Sequence, residues 1–187
     1  MYWDLPGKQN TENTLAVVKE AVSERGIKHV VVASTGGYTA KLFFEANLGV
    51  NLVIVTHVCG YAEPGKMEFP EDLRQKLLAS GVKVLTTTHV LSGAERGISR
   101  KFGGVYPVEI IANTLRMFGQ GVKVCVEVAT MALDAGLIPY GEDIIAVGGS
   151  GTGADTAVIM RPSHAASIFN TWISEILCKP AKRKRGA

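Results

Sequence analysis

The stretch STGGYT lies between a short run of valines and the helix-forming residues 40–46. Gly36 and Gly37 have no Cβ, so a ligand can approach their backbone closely. The amides of residues 37–39 would lie at the N-terminus of the next helix, where anions bind, but an ordinary capped turn would use the same residues. The stretch matches neither GxxxxGK[ST] nor GxGxxG, so it predicts an anion site without identifying the anion. Its residues are Ser34, Thr35, Gly36, Gly37, Tyr38 and Thr39.

A second glycine-rich stretch, GGSGTGAD, occupies residues 148–155 and contains four glycines among eight residues. A hairpin turn needs less flexibility than this, so the stretch predicts a second loop whose backbone approaches a ligand. Gly149 and Ser150 are the candidate contacts there. Asp155 is either a turn former or a hydrogen-bond partner for a ligand hydroxyl.

The segment 91–104 contains four glycines and no apolar period, and we interpret it as a long ordered loop. It carries Arg96, Arg100 and Lys101, and a guanidinium group suits the recognition of phosphate. Ser92 and Gly93 open the same segment. Three basic residues on a loop are more often simply solvated. They support an anionic ligand only together with the two glycine-rich loops expected at the same edge of the sheet.

Two histidines, His57 and His89, each follow a predicted strand and a threonine, which for the first is Thr56. Either could be an acid–base group or a structural side chain. Cys59 lies near His57, but nothing in the sequence supplies a lowered thiol pKa. Glu127 interrupts an apolar stripe and either faces solvent or is a buried carboxylate that reaches the ligand. We see no HxH, HExxH or DxD spacing, so no metal site is predicted.

The apolar patterns predict alternating helices and strands. The first three strands and the helices between them form a βαβαβ unit, and a connection too short for a crossover helix makes the next two strands antiparallel. Segment 123–136 fits both a strand and a helix, and we choose the helix. Helices are predicted at 13–26, 40–46, 70–80, 107–118, 123–136 and from Ser163 through Phe169 and Trp172. Strands are predicted at 29–34, 51–57, 82–89, 142–149 and 156–162, with an edge strand at 173–180.

Four polar or glycine-rich stretches each follow a predicted strand: 34–39, 56–61, 88–104 and 148–155. In open α/β sheets, ligands bind beyond the carboxyl ends of the strands, because loop amides and helix N-termini converge there. The sequence therefore predicts one ligand site at that edge of the sheet.

Composition indicates a compact single-domain protein, since 47% of the residues are hydrophobic and 20% are charged. The three cysteines have no CxxC spacing, which fits a reducing cytoplasm, and no apolar run is long enough to cross a membrane. The last nine residues, KPAKRKRGA, contain five of the 20 Lys and Arg residues. We expect this segment to be a solvated tail rather than a specific nucleic-acid site.

Long blocks of the sequence resemble a known family. NTLAVVKEAVSERGIKHVVVASTGGYTAKLFF resembles the start of the C-terminal α/β domain of pyruvate kinase, and EDIIAVGGSGTGADTAVIM resembles the last strands of that domain. Nearly the whole chain is similar to free-standing, mostly archaeal proteins with this fold. That similarity rests on PGKQNTENTL, VVASTGGYTA, THVLSGAERGISRKFGGVYPVEI, KVCVEVATMALDAGLIP and AVGGSGTGADTAVIMRPSHA.

The resemblance implies a three-layer α/β/α sandwich over residues 1–178, followed by the basic tail 179–187. Its mostly parallel sheet has the order 3-2-1-4-5, with strand 5 antiparallel. The resemblance also implies a phosphorylated small-molecule ligand, which is flavin mononucleotide (FMN) in some members, and a flavin-dependent reaction or a sensor role. The phosphate would lie on residues 35–39. The catalytic barrel of pyruvate kinase is missing from the chain, so the kinase activity is not carried over.

The remainder of the ligand would lie against residues from the other predicted loops, and His57 or His89 would be the proton donor of any reaction. The reaction, the substrate and the choice between a monomer and a homo-oligomer stay open. The residues expected around the remainder of the ligand are Thr56, His57, His89, Ser92, Gly93, Gly149, Ser150 and Asp155, with Arg96 as a further phosphate contact.

Overall fold

A computed structural model describes residues 1–183, and within them the chain forms a seven-stranded sheet with helices on both faces. The strands are β1 (Tyr2–Trp3), β2 (His29–Ala33), β3 (Asn51–Val55), β4 (Lys83–Leu85), β5 (Ile144–Gly148), β6 (Thr156–Arg161) and β7 (Trp172–Pro180). The α-helices are α1 (Thr11–Arg25), α2 (Tyr38–Glu45), α3 (Glu71–Ala79), α4 (Gly93–Phe102), α5 (Pro107–Arg116) and α6 (Gln120–Asp134). Two 3-10 helices cover Lys8–Asn10 and Ala165–Asn170.

The sheet order confirms the predicted arrangement of the five central strands. The full order is β1-β7-β6-β5-β2-β3-β4, so the five strands predicted as 3-2-1-4-5 are β4, β3, β2, β5 and β6. Strands β2, β3, β4 and β5 are parallel, and β6 runs antiparallel to β5. The sheet is wider than predicted, because β7 pairs with β6 and the short strand β1 pairs with β7.

Two apolar layers cover the sheet, one on each face. The β-branched strand residues alternate between them, as the pleat requires. Val30 and Val32 of β2 pack with α1, α2 and α3, whereas Val31 packs with α6. Because both faces are buried, the strands are almost continuously apolar in sequence.

The segment 91–104 is not the long loop that the sequence predicts, because residues 93–102 form helix α4. The segment does have an apolar period at helical spacing, Ala94, Ile98 and Phe102, which the glycine-based interpretation as a loop overlooked. These three side chains are exposed, and none of the ten residues of α4 is buried. Polar contacts with α5 hold it instead. The Ser99 hydroxyl donates to Glu109 Oε1 at 2.7 Å, and Glu95 Oε2 accepts from the Val108 amide at 2.9 Å.

Several further boundaries differ from the prediction, and three of them matter here. Strand β4 ends at Leu85, so His89 lies four residues beyond the sheet. The helix expected from Ser163 is the 3-10 helix Ala165–Asn170, and Trp172 belongs to β7. Strand β7 continues through Pro180, because its last residues pair with β1, so the expected tail 179–187 begins within the sheet. Residues 184–187 of that tail lie outside the described residues.

The N-terminus of α6 packs directly on β5 and β6. A Cβ on Gly121 would lie 2.0 Å from Thr156 Oγ1, and one on Gly148 would lie 2.7 Å from the Gly121 carbonyl oxygen. Only glycine allows this approach, which brings the first turn of α6 to the carboxyl end of β5. Among residues 1–183, no helix is both long enough and apolar enough to cross a membrane.

Candidate ligand-binding site

A cavity of about 760 Å³ lies at the carboxyl ends of β2 and β3 and is closed on one side by helix α6, from Gln120 to Met131. It is the place where the sequence predicts a ligand site, and its volume falls in the range of small-molecule sites, about 300–1,000 Å³. Eleven of the predicted site residues line it: Ser34, Thr35, Gly36, Tyr38, Thr39, Thr56, His57, His89, Ser92, Arg96 and Gly149.

The turn 34–39 leads from β2 into α2 and forms one wall of the cavity. The Ser34 hydroxyl oxygen accepts a hydrogen bond from the Ala40 amide at 3.2 Å and so caps one of the first-turn amides of the helix. The amides of Tyr38 and Thr39 precede the first i→i−4 bond and have no carbonyl partner inside the helix. They carry the positive end of the helix dipole, which favours an anion at this wall.

Gly37 supports this turn from behind, because it does not line the cavity. It is buried, has φ of 85°, and a Cβ there would lie 2.7 Å from Leu73 Cδ2 of α3. Gly36 has no atom within 4 Å of its Cβ position, and it does line the cavity. Of the two glycines, Gly36 therefore faces the ligand space, and Gly37 allows α2 to start against α3.

Asp155 and Ser150 also have roles inside the protein. The fully buried carboxylate of Asp155 accepts hydrogen bonds from the amides of Gly7 and Ser150 at 2.9 and 3.1 Å and from the Thr156 hydroxyl at 2.8 Å. These donors engage both carboxylate oxygens of Asp155, so this side chain shapes the loop 148–155. The prediction that Asp155 contacts the ligand is not met, because the residue does not line the cavity. Ser150 does not line it either. Gly93 packs against Thr88 at the start of α4, where its Cβ would lie 2.8 Å from Thr88 Cγ2.

Positively charged side chains reach the cavity from three separate segments. Lys8 comes from the N-terminal 3-10 helix, and its Nζ lies 4.0 Å from the centre of the Tyr38 ring. Arg96 comes from α4 and Arg116 from the end of α5. Because the turn 34–39 also favours an anion, these cations make the cavity suited to a negatively charged ligand.

A buried ion pair lies at the base of the cavity. Lys123 and Glu127 are one turn apart on α6, their side chains are 6% and 7% exposed, and the Lys123 ammonium donates to Glu127 Oε2. The other carboxylate oxygen accepts the Leu91 amide at 3.1 Å. Burial lowers the pKa of Lys123, although the Glu127 carboxylate opposes this shift. Glu127 is thus the buried carboxylate that the sequence left as one of two alternatives.

Two histidines and a tyrosine form a cluster on the wall formed by the loops after β3 and β4. His57 Nδ1 lies 2.8 Å from Glu68 Oε2, and the ring of His57 lies 4.1 Å from that of Tyr61 and 5.2 Å from that of His89. His89 Nε2 accepts the Val58 amide at 3.2 Å. Burial lowers the pKa of His89, and His57, Lys123 and Arg96 lower it further, whereas Glu127 raises it.

Sequence reasoning missed several of the lining residues. Lys8 and Arg116 lie in segments without a motif, and Glu68 and Tyr61 lie in an irregular stretch after β3. A carboxylate within a dozen residues of a strand-end histidine is the signal that could have found Glu68. The additional lining residues with polar side chains are Lys8, Tyr61, Glu68, Arg116, Gln120, Lys123 and Thr152.

The described residues contain no group of three or more His, Cys, Asp or Glu side chains placed to hold a metal ion. The thiols of Cys59, Cys125 and Cys178 are free. Burial raises the pKa of both Cys125 and Cys178, so these two are inert packing residues.

The fold and the cavity together define an α/β domain with a cavity of small-molecule size at the carboxyl edge of its sheet. Residues 12–160 match the family model of the pyruvate kinase alpha/beta domain, and the chain belongs to this family.

Solved structures of pyruvate kinases are similar to the chain. A pyruvate kinase from Cryptosporidium parvum is 17% identical with a TM-score of 0.43, over 81% of this chain and 22% of that one. The Cryptosporidium parvum pyruvate kinase in complex with ADP is 18% identical with a TM-score of 0.42, over 81% and 23%. The chain thus spans less than a quarter of the length of these enzymes. The flavin and the archaeal grouping stay predictions.

Proposed function

We propose that the cavity binds a phosphorylated small molecule, with its phosphate on the turn 35–39. The observation that carries this proposal is the convergence of the α2 N-terminus with Lys8, Arg96 and Arg116 in one cavity. Amides without intrahelical partners and fixed cations favour the same charge on a ligand, so the two effects add. In this proposal Gly36 is the point of closest backbone approach, and Gly37 is not a ligand contact.

We further propose FMN as the ligand, as the sequence resemblance implies. The cavity is large enough, at about 760 Å³, and the rings of Tyr38, Tyr61 and His57 line it as surfaces on which a planar ring system can stack. A bound flavin would supply hydride or single-electron transfer. The part of this chain would be to hold the phosphate, to orient the ring and to limit the access of water.

Comparison of FMN with riboflavin tests this proposal, because the two differ only in the phosphate. At 100 times Kd a ligand stabilises the folded state by about 2.7 kcal/mol. For a domain of this size that is a rise in Tm of roughly 5–10 °C. We expect this rise with FMN and almost none with riboflavin in a thermal denaturation series. Equal shifts with both compounds would refute the phosphate site, and no shift with FMN would refute the flavin.

Variants of two lining residues locate the phosphate. Gly36→Leu adds bulk at a position with open space and an ordinary backbone conformation, so the Tm without ligand should stay within a few degrees while the FMN shift is lost. Lys8→Ala should weaken FMN binding about 5- to 10-fold through the loss of one phosphate contact. Lys19→Ala is the matched control, because Lys19 is an exposed lysine on α1 that does not line the cavity. Full FMN retention in Gly36→Leu would place the phosphate elsewhere.

Membership of the pyruvate kinase alpha/beta family favours a second candidate, a regulatory module without catalysis. In pyruvate kinase this domain is a regulatory, effector-binding domain. A thermal-shift series with sugar phosphates and nucleotides separates the two candidates. Stronger stabilisation by one of these metabolites than by FMN favours the regulatory module, and a native mass spectrum of the protein purified without ligand identifies what it retains.

A further inference from the structure

The His57 and Glu68 side chains form a carboxylate–imidazole pair that lines the cavity. The Nδ1–Oε2 distance of 2.8 Å is that of a charge-assisted hydrogen bond, and both side chains are about one-third exposed or less. Because the carboxylate accepts the Nδ1 hydrogen, a neutral His57 carries no hydrogen on Nε2. This is the arrangement in which a histidine serves as a general base, with the carboxylate fixing the tautomer and the ring.

His89 differs from His57 in which ring nitrogen the protein uses. Its Nε2 accepts a backbone hydrogen bond from Val58, so this nitrogen has no hydrogen, and a neutral ring carries its hydrogen on Nδ1. Desolvation by burial opposes protonation of the ring. The charged groups that act on it are Glu127 and Lys123 of α6, Arg96 of α4 and the neighbouring His57. His89 is therefore a neutral hydrogen-bond donor through Nδ1.

The two rings are close enough to act on one small molecule. Their centroids are 5.2 Å apart with planes inclined by 62°, and both rings line the cavity that also contains the turn 34–39. A base and a neutral donor at this separation span two adjacent carbons of a ligand, one bearing a C–H bond and the other a carbonyl oxygen. A phosphate on the turn would fix the position of that ligand.

From this geometry we infer that the cavity catalyses proton transfer next to the carbonyl group of a small phosphorylated aldehyde or ketone. The inference rests on the proposed phosphate site. His57 is the catalytic base, His89 is the catalytic hydrogen-bond donor, and Glu68 is a positioning residue that acts through His57.

The step balances without an oxidant or a metal. The C–H bond next to the carbonyl breaks, its proton goes to His57 Nε2, and its electron pair forms the carbon–carbon double bond of an enediolate. The His89 Nδ1–H donates to the carbonyl oxygen as negative charge develops there. Return of the proton from His57 to the same carbon regenerates the substrate. Return to the neighbouring carbon gives the isomeric carbonyl compound when the hydroxyl proton of the first carbon moves to the former carbonyl oxygen, which becomes the new hydroxyl group.

Hydrogen–deuterium exchange in D2O detects this proton transfer even when the product is unknown. Dihydroxyacetone phosphate, glycolaldehyde phosphate and ribulose 5-phosphate are suitable probes, and their C–H signals are followed by proton NMR. We expect the wild-type protein to accelerate the exchange of at least one probe. Dihydroxyacetone, which lacks the phosphate, should exchange at the rate of the buffer alone.

Variants of three cavity residues and one control assign the roles. His57→Gln and His89→Gln should each lower the exchange rate about 100-fold or more while the thermal shift with the probe is kept. Glu68→Leu should lower the rate about 10- to 100-fold and remove the Nδ1–H tautomer of His57 in nitrogen-15 NMR, whereas Glu68→Gln, which still offers an acceptor, should partly restore both. His164→Gln is the matched control, because His164 pairs with Asp134 at 2.7 Å outside the cavity.

The possible outcomes are distinct. A probe that stabilises the wild-type protein but exchanges equally fast with His57→Gln, purified in the same way, overturns the inference and attributes the exchange to a contaminating isomerase. If none of the probes binds or exchanges while FMN still stabilises the protein, the inference fails and the phosphate site stands. If neither the probes nor FMN bind, the proposed function and the inference both fail.

Discussion

At the residue scale, the polar side chains in and around the cavity differ in what they do for the fold. Asp155 and Thr56 are fully engaged by protein groups, since Thr56 Oγ1 lies 2.7 Å from Thr86 Oγ1 and 2.9 Å from the His57 carbonyl oxygen. His57 and His89 each use one ring nitrogen in a hydrogen bond within the protein, and the other ring nitrogen is left for a ligand. Residue types at strand ends could be predicted from the sequence, but these assignments depend on partners that only the fold brings together.

The prediction at the residue scale concerns the stability of the buried ion pair between Lys123 and Glu127. Glu127→Leu leaves the ammonium buried without its carboxylate, so we expect a loss of about 3–5 kcal/mol in the free energy of unfolding, measured by urea denaturation at pH 7. The double variant Lys123→Met with Glu127→Leu buries no charge and should recover most of that loss. A single variant within 1 kcal/mol of wild type would contradict this account.

The pH dependence of the Glu127→Leu loss follows from the pKa of Lys123. Burial already lowers this pKa in the folded protein, and removal of Glu127 removes the influence that raises it. A lysine with a lowered pKa in the folded state costs stability as pH falls below its unfolded value, because the unfolded chain then binds more protons. The loss should therefore be smaller at pH 9 than at pH 7.

At the scale of the elements, the strands could be predicted because buried β-branched runs identify them, and the predicted order of the five central strands is the observed one. Helix α4 could not. Its stability comes from Glu95 and Ser99, whose partners lie on α5, and Gly93 and Gly97 lower its helix propensity. The spacing of Ala94, Ile98 and Phe102 is helical, but the four glycines of segment 91–104 favoured a loop, and the polar contacts that hold the helix depend on α5.

Alanine substitutions at two helical glycines should change the free energy of unfolding in opposite directions. Gly97 in α4 has open space around its Cβ position, so Gly97→Ala should raise the free energy of unfolding by about 0.5–1 kcal/mol. In α6, a Cβ on Gly121 would lie 2.0 Å from Thr156 Oγ1, and Gly121→Ala should cost about 1–3 kcal/mol. Urea denaturation of both variants measures the contrast. Equal effects would mean that α6 is not held against β6 as described.

At the scale of the whole molecule, the cavity depends on contacts between residues far apart in the chain. The N-terminal segment crosses the loop 148–155, where Trp3 Nε1 donates to the Asp155 carbonyl oxygen at 2.8 Å and Thr11 Oγ1 accepts from the Ala154 amide at 3.0 Å. This crossing places Lys8 in the cavity beside the turn 34–39. No local pattern in the sequence could predict a lysine brought to the site by contacts about 145 residues away.

Asp155→Ala tests whether this long-range contact shapes the site. The variant leaves the amides of Gly7 and Ser150 without their buried acceptor, so we expect a loss of about 2–4 kcal/mol in the free energy of unfolding. These two amides should also exchange with solvent faster than in the wild type, by hydrogen-exchange NMR. Because Lys8 would lose its fixed position, FMN binding should weaken at least as much as in Lys8→Ala. Unchanged FMN affinity together with faster exchange at Gly7 would show that the N-terminal segment stabilises the domain without contributing to the ligand site.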